Sequence, residues 1–442
     1  MLATSAASAQ APADTNVAPR AASSALPQIA ARRQYLLAQM LADPGNLDIA
    51  FEYAALSSQV GDLEGAISTL ERMLIFAPGL PRLHLELGVL YYRLGAYESA
   101  SSYFEAALAA PDVPQDVRDS VAPYMAAIGK HTETSGFEGA ILVGTRYQTN
   151  ATGAPDSDIV HLGDFEFVLS DGSTSQPDFN AFVSGNFHYS YDLASQGDRL
   201  VASLLTYGAL YKEHGELNTG VVELKVGPSF NLQRFEIDDG TFDVYAIAGA
   251  AIIEGNPYLA AGGVGASVWK GLGPNARLGL EAEYRREAYF DSDSRPTASD
   301  RTGNKFTGAA TLQYQINEMF GIFGELNGQR RDTEVDYLSF WEAGVTVGAK
   351  LDFASPFEQQ TDLWTLAVTA GYLHRIFDEP DLLFSLTDAE VDDEAFVQGT
   401  LSVPVLEGWS VQTTAGYRVV ISNYDLSNAE NIHGSLGVMK KF

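Results

Sequence analysis

The sequence of 442 residues contains no cysteine. Disulfides, thiolate metal sites and cysteine nucleophiles are therefore excluded. Basic residues are also scarce, because 27 Lys and Arg stand against 57 Asp and Glu and leave a net charge of −30. Such a charge repels polyanions at long range, so nucleic acid is not an expected partner.

Long hydrophobic runs are absent as well. The longest apolar candidate, Ala246 to Ile253, stops at Glu254 and is far shorter than the roughly 18 residues that a membrane-spanning helix needs. The chain is nevertheless rich in glycine and aromatics, with 41 Gly, 21 Tyr and 23 Phe. If the chain crosses a membrane, we expect it to cross as β-strands.

Motifs for catalysis or metal binding are not found. The seven histidines lack a spacing such as H-E-x-x-H, and there is no glycine-rich phosphate loop and no G-x-S-x-G elbow. His188 and Ser190 are similar to the His-x-Ser arrangement of outer-membrane phospholipases. Residues of the predicted strand alternate between its two faces, and both side chains lie on the face away from lipid. We therefore expect no enzymatic activity, no metal site and no cofactor.

The first 24 residues differ in composition from the rest. Ala7-Ser8-Ala9 before Gln10 has the A-x-A spacing of a signal-peptidase site, and a stretch rich in Pro, Ala and Ser follows it. We interpret residues 1–24 as a signal-peptide remnant and a flexible leader.

Residues 46–111 repeat with a period of 34, which is the period of tetratricopeptide repeats. Gly61 recurs as Gly95, Ala66 as Ala100 and Leu70 as Phe104. The pattern predicts a helical-repeat domain over residues 25–130, with flanking helices as caps because two repeats alone are marginal.

Such repeat arrays bind peptides or proteins on a concave face. By spacing, that face would include Tyr53, Gln59, Tyr91 and Arg93. The alternative is that these four are ordinary residues of the helix interfaces or of the solvated surface.

After Lys130 the pattern becomes strand-like, and residues 131–442 contain about fourteen segments long enough for tilted transmembrane strands. The predicted segments are 137–148, 179–191, 199–211, 218–232, 241–254, 257–270, 275–289, 303–315, 318–330, 337–353, 362–376, 393–404, 408–421 and 430–442. The predicted fold is thus an α + β membrane protein in which tetratricopeptide helices precede a transmembrane antiparallel β-barrel of about 14 strands. With an even number of strands, the first and the last strand of the barrel have their outer termini on the same side of the membrane.

Alternation within the segments assigns the two faces of the wall. In 179–191 an aromatic and apolar row alternates with polar residues, and the apolar row is expected to face lipid. Charged rows are expected in a watery lumen. The lumen candidates are Glu223, Lys225, Arg277, Glu281, Glu283, Arg285, Glu287 and Glu325.

Two further features concern the membrane setting. The last segment has apolar residues two apart and ends on Phe442, like the terminal assembly signal of outer-membrane barrels, although Lys440 departs from the usual apolar occupant. Connections alternate in length, so the long ones are expected outside the cell. One of them carries the acidic tract 378–394, which is either a solvated loop or a place where divalent cations bridge lipopolysaccharide.

Repeats fused to such a barrel resemble the surface lipoprotein assembly modulator (Slam) family. The resemblance implies an outer-membrane protein whose repeats receive periplasmic proteins or lipoproteins and whose barrel translocates or assembles them at the surface. Barrel-assembly machinery, outer-membrane lipid and lipopolysaccharide are the further partners that it implies. An exopolysaccharide-export porin, and a general porin or scaffold that docks an envelope complex, remain open alternatives.

Overall fold

The computed structural model describes residues 26–442 except 110–112, 114, 133, 163–164, 194–196, 236, 238 and 358–361. The interpretation of residues 1–24 as a signal remnant and leader lies outside the described residues. The described chain forms a helical unit and a barrel unit. The helices of the first unit are α1 (Leu26–Ala42), α2 (Leu47–Gln59), α3 (Leu63–Leu74), α4 (Pro81–Arg93), α5 (Tyr97–Leu108) and α6 (Gln115–Thr132).

Local sequence signals set the ends of the repeat helices. Asn46 caps α2 by accepting a hydrogen bond from the Ile49 N–H, and Asp62 caps α3 by accepting one from the Gly65 N–H. Gly61 and Gly95 adopt positive φ values of 86° and 81° at the turns inside the two repeats, a conformation that favours glycine. No described helix is both long and apolar enough to cross a membrane.

The repeat period is explained by close packing between paired helices. Leu70, Leu83, Leu87 and Phe104 are almost fully buried. A Cβ atom on Gly88 of α4 would lie 2.6 Å from the ring of Phe104 on α5, so the small residue is what lets these helices approach.

Residues 135–441 form a closed antiparallel barrel of fourteen strands, which confirms the predicted architecture. A hairpin of two short strands, β2 (Ile159–Leu162) and β3 (Phe165–Val168), lies within the first connection and was not predicted. The barrel strands are β1 (Ser135–Gln148), β4 (Asp178–Asp192), β5 (Arg199–Tyr211), β6 (Thr219–Asn231), β7 (Gly240–Ile253), β8 (Asn256–Gly271), β9 (Ala276–Tyr289), β10 (Gly303–Asn317), β11 (Phe320–Thr333), β12 (Phe340–Phe353), β13 (Trp364–Phe377), β14 (Val391–Leu406), β15 (Trp409–Ser422) and β16 (Ala429–Lys441).

Each strand pairs with its neighbours in the chain, and β1 closes the barrel by pairing with β16. The end that carries both termini of the barrel is called the terminal end, and the opposite end is called the loop end. The longest connections, 149–177, 290–302 and 378–390, all lie at the loop end. The three longest connections thus lie at the end where the sequence placed them, although the lengths do not alternate throughout, since 254–255 at the loop end is shorter than 354–363 at the terminal end.

The outer face of the barrel is apolar, with aromatics near both ends. Phe179 and Trp341 are exposed near the loop end, and Tyr191 and Trp409 near the terminal end. On β1 the exposed aromatics Phe137 and Tyr147 lie ten positions apart, which corresponds to about 25 Å along the membrane normal for a tilted strand. The band therefore matches an outer-membrane hydrocarbon layer.

Candidate functional site

The inner wall of the barrel carries a set of paired charges in its loop half, which we call the charged belt. All its members lie on inward positions of strands β6, β9 and β11 to β15, within eight residues of the loop end. The members are Glu223, Lys225, Glu281, Glu283, Arg285, Glu287, Arg331, Glu342, Arg375, Asp392, Glu394 and Arg418.

The largest group of the belt joins β6, β7 and β9. Lys225 of β6 contacts both Glu281 and Glu283 of β9, with a nitrogen-to-oxygen distance of 3.3 Å to Glu281. The Tyr245 hydroxyl oxygen of β7 lies 2.6 Å from a Glu281 carboxylate oxygen and 3.0 Å from a Glu283 carboxylate oxygen, so its one proton is placed between the two acceptors. Five of the eight predicted lumen residues meet in this group, since Arg285 also bridges Glu223 and Glu283.

Three further groups continue the belt around the wall. Arg331 donates to Glu287 at 2.6 Å and to the Tyr289 hydroxyl at 3.0 Å. The next two groups are Arg375 between Glu342 and Asp392, and Arg418 in a two-pronged pair with Glu394. Among these, Glu287, Asp392 and Glu394 are nearly inaccessible to solvent.

Two predicted lumen residues lie outside the belt. The guanidinium of Arg277 lies 5.1 Å from the ring centre of Trp269. Glu325 accepts a hydrogen bond from Thr311 at 3.1 Å. The belt partners Tyr245, Arg331 and Arg418 were missed as site residues, although their inward parity on each strand was the signal that could have found them.

Electrostatically the belt is nearly self-neutralising, because five basic side chains face seven carboxylates. Buried ion pairs of good geometry hold their partners in place, while the removal of one partner leaves an uncompensated charge. The belt thus connects adjacent strands and also strands that lie two and three positions apart in the barrel. It also gives the lumen a polar, hydrated surface that disfavours apolar groups.

The four candidate binding residues of the repeats make different contacts within the helical unit. Tyr91 is half-buried, donates a hydrogen bond to Glu71 at 2.7 Å and stacks on Tyr103. Arg93 of α4 donates to the backbone oxygen of Ser58 on α2 at 3.2 Å, next to the exposed Gln59. Tyr53 instead lies under the guanidinium of Arg33, 5.4 Å from it.

Glu71 was not identified from sequence, yet it organises the interior of the repeats. It accepts hydrogen bonds from Tyr91 and, at 3.1 Å, from Tyr103. The hydrogen bond to the Glu71 carboxylate, together with burial, raises the pKa of Tyr91 to about 12. The phenol therefore stays neutral over the whole physiological range, and the contact serves the packing between helices.

The end of the chain contacts β1 and the aromatic band. The Phe442 backbone N–H donates to the Gly139 oxygen at 2.9 Å, and its side chain is exposed. The Lys440 ammonium lies 5.4 Å from the ring centre of Trp409 and 6.0 Å from that of Phe442. A lysine held by two interfacial aromatics is compatible with the membrane boundary.

His188, which was weighed for catalysis together with Ser190, contacts a side chain of the neighbouring strand. His188 Nδ1 lies 3.1 Å from the Ser203 hydroxyl of the neighbouring strand. In the described part of the chain, no group of three or more His, Asp or Glu side chains is arranged to hold a metal ion.

The helical repeats and the closed fourteen-strand barrel define an outer-membrane β-barrel protein with a tetratricopeptide domain. The family model described as tetratricopeptide repeat matches residues 53–120, and that described as surface lipoprotein assembly modifier matches residues 187–442. The chain therefore belongs to the surface lipoprotein assembly modifier family. The resemblance inferred from the sequence is thereby confirmed. The protein is an outer-membrane protein that is involved in surface lipoprotein assembly.

Solved structures are similar to parts of the chain at low identity. The outer membrane channel DcaP of Acinetobacter baumannii is 11% identical, with 70% of this chain and 97% of that chain covered and a TM-score of 0.37. A loop-deletion mutant of OmpT of Vibrio cholerae is 10% identical, with coverages of 70% and 100% and a TM-score of 0.35. MamA is 14% identical, with coverages of 26% and 68% and a TM-score of 0.22. No curated protein matches the chain.

Proposed function

We propose that the helical repeats receive lipoproteins or other proteins in the periplasm and that the barrel passes or assembles them at the cell surface. One observation carries this proposal: a tetratricopeptide domain and a barrel of the surface lipoprotein assembly modifier family occur in one chain. Repeat arrays bind polypeptides through surfaces built by stacked helices. In this proposal the barrel provides the route across the membrane.

The self-paired charges of the lumen support a polypeptide as the transported material. The charged belt leaves a hydrated wall of mixed sign, which does not select strongly for small anions or cations. A chain with both kinds of charge can pass such a wall without a net electrostatic barrier. We further propose that the protein has no enzymatic activity, that barrel-assembly machinery inserts it into the membrane, and that the inserted barrel contacts outer-membrane lipid and lipopolysaccharide.

The test is a comparison of surface lipoproteins between cells with and without this protein. Intact cells are treated with protease, and the released lipoprotein peptides are identified by mass spectrometry. We expect a defined set of lipoproteins to lose surface exposure in the deletion strain while remaining in the envelope. Unchanged lipoproteins together with altered small-solute uptake would favour a porin, and lost surface polysaccharide would favour polysaccharide export.

A further inference from the structure

The contact between β1 and β16 differs from the other seams of the barrel wall. All other neighbouring strands are consecutive barrel strands joined by a connection, whereas β1 and β16 lie at opposite ends of the barrel sequence. The paired residues run from Ala140 opposite Lys441 to Gln148 opposite His433, which is nine residues of β1. The same strand pairs with β4 over fourteen residues, from Ser135 to Gln148.

The middle of this seam is held by backbone rather than by interlocked side chains. Gly144 lies opposite Gly437, and a Cβ on Gly144 would come within 2.8 Å of the Gly437 Cα. Among the described residues, none of the ion pairs joins β1 or β16 to another strand. The charged belt has no member on β1 or β16, as it has none on β4, β5 or β10, and therefore leaves this seam to its hydrogen bonds.

The two ends of the seam are fastened unequally. At the loop end, Asn431 accepts a hydrogen bond from the Asn150 N–H at 3.1 Å, and the Ile432 N–H donates to the Thr149 hydroxyl at 2.9 Å. At the terminal end, the final bond is that from Phe442 to Gly139. Residues 135–138 continue beyond it and pair only with β4 among the described strands, so separation is easiest from this end.

An apolar groove of about 380 Å³ lies on the outer face beside residues 135–138. It begins at Phe137 of β1 and extends over β4, β5 and β6. Its lining residues are Phe137, Phe187, Tyr189, Ala202, Leu204 and Leu224.

A lipoprotein combines a polypeptide with acyl chains, and the two parts need different surroundings. The polypeptide suits the hydrated lumen, but the acyl chains are disfavoured beside the charged belt. We propose that the β1–β16 seam opens from its terminal end and lets the acyl chains of a client pass into the bilayer, beside the apolar groove at Phe137. This inference rests on the proposed function.

The absence of cysteine makes a disulfide test possible without a background thiol. Met439 of β16 lies opposite Leu142 of β1 on one side and opposite Ser410 of β15 on the other. The double variant Leu142→Cys and Met439→Cys ties the β1–β16 seam with a disulfide. The control variant Ser410→Cys and Met439→Cys ties β15 to β16 in the same way. Directly opposed strand positions have the Cα spacing that a disulfide requires.

The probes are the lipoproteins that lose surface exposure in the deletion strain, each in its native form and with its lipidated cysteine replaced. With the seam tied, the native form should lose its surface exposure, and a reductant should restore it. The form without acyl chains should still reach the surface, and the β15–β16 tie should change neither form. Heat-modifiable migration in gels confirms that both variants insert and fold.

Two results would overturn the acyl route. One is that the native lipoprotein still reaches the surface when the seam is tied, and the other is that the native form and the form without acyl chains lose surface exposure equally. If the deletion itself changes no surface lipoprotein, the proposed function fails, and the acyl route fails with it. That failure is seen before any cysteine variant is made, so the two failures are distinguishable.

Discussion

Arg418 and Glu394 show how single residues hold the barrel wall. The two side chains meet through paired hydrogen bonds of 2.6 and 2.7 Å between β15 and β14, and Glu394 is only 6% exposed. A carboxylate in that position is stable because its partner supplies two charge-assisted donors. The contribution of the pair therefore depends on both members being present.

We expect Arg418→Ala to destabilise the barrel by about 3 kcal/mol, because it leaves the Glu394 carboxylate buried without a partner. The measurement is the temperature at which the folded form is lost in heat-modifiability gels. The matched control is Arg286→Ala, which removes an ion pair with Glu334 whose members are both largely exposed and should cost less than about 1 kcal/mol. Equal effects of the two variants would show that the belt does not brace the wall.

Glu390 provides a pH-sensitive contact in the connection 378–390. Burial and the neighbouring Asp392 carboxylate raise the pKa of Glu390 from 4.5 to about 7, although the Ser427 hydroxyl and Arg375 oppose the rise. Tyr424 also lies close by and donates a hydrogen bond to the Asp388 oxygen in the same connection. The protonated form of Glu390 is thus the form that suits the folded loop.

Since the pKa is raised on folding, the stabilisation is fully present below pH 4.5 and is lost as the pH rises through about 7. We expect a protease to cut this loop faster at a pH of about 8.5 than at about 5.5, once the protease's own pH dependence is subtracted. The expected cleavage sites are the exposed Leu382, Leu383 and Leu386. Glu390→Gln should remove most of that difference, whereas Glu379→Gln, on an exposed residue of the same loop, should keep it. A pH difference that survives Glu390→Gln would assign it to another group.

At the scale of elements, alternation of apolar and polar residues predicted all fourteen strands. The segment 199–211 coincides with β5, and most of the other bounds differ by one to three residues. On a barrel wall, every second residue faces lipid and the residues between face the lumen. This alternation is visible in a short stretch of sequence, so the strands can be predicted from one sequence alone. The short hairpin β2–β3 was missed because four-residue strands carry too little pattern.

The ion pairs could not be predicted to the same degree. The inward position of Glu287 follows from its strand, but its partner Arg331 lies 44 residues away on β11, beyond the intervening β10. Partners across a lumen depend on strand register and tilt, which local sequence does not contain. The same holds for Glu71, whose importance appears only when Tyr91 and Tyr103 are brought together.

The helical repeats offer a test of packing at the element scale. We expect Gly88→Ala to destabilise the helical unit by about 1–3 kcal/mol, because the added methyl group would meet the buried ring of Phe104. The measurement is the thermal loss of helical circular dichroism in the full protein. Gly129→Ala in α6 is the control, since nothing lies within 4 Å of its added Cβ and alanine favours helix over glycine. Equal melting of the two variants would contradict the close α4–α5 packing.

At the scale of the whole molecule, the helical unit and the barrel have separate interiors. The helices bury their own core around Leu70, Leu87 and Phe104, and the barrel is closed by hydrogen bonds between its own strands. Each unit therefore satisfies its polar backbone and buries its apolar side chains without the other. Insertion and client reception should then be separable functions.

We expect removal of residues 26–132 to leave an inserted, heat-modifiable barrel that no longer brings lipoproteins to the surface. The physical reason is that the barrel retains its wall while the proposed receiving surface is gone. The measurement is protease release of surface lipoproteins from intact cells, compared at equal barrel levels. In the converse experiment, residues 26–132 exported alone into the periplasm beside the full protein should be soluble and helical. They should lower surface exposure, because they would bind clients without passing them to a barrel. Undiminished lipoprotein display by the barrel alone would remove the receiving role of the repeats and favour a barrel that acts by itself.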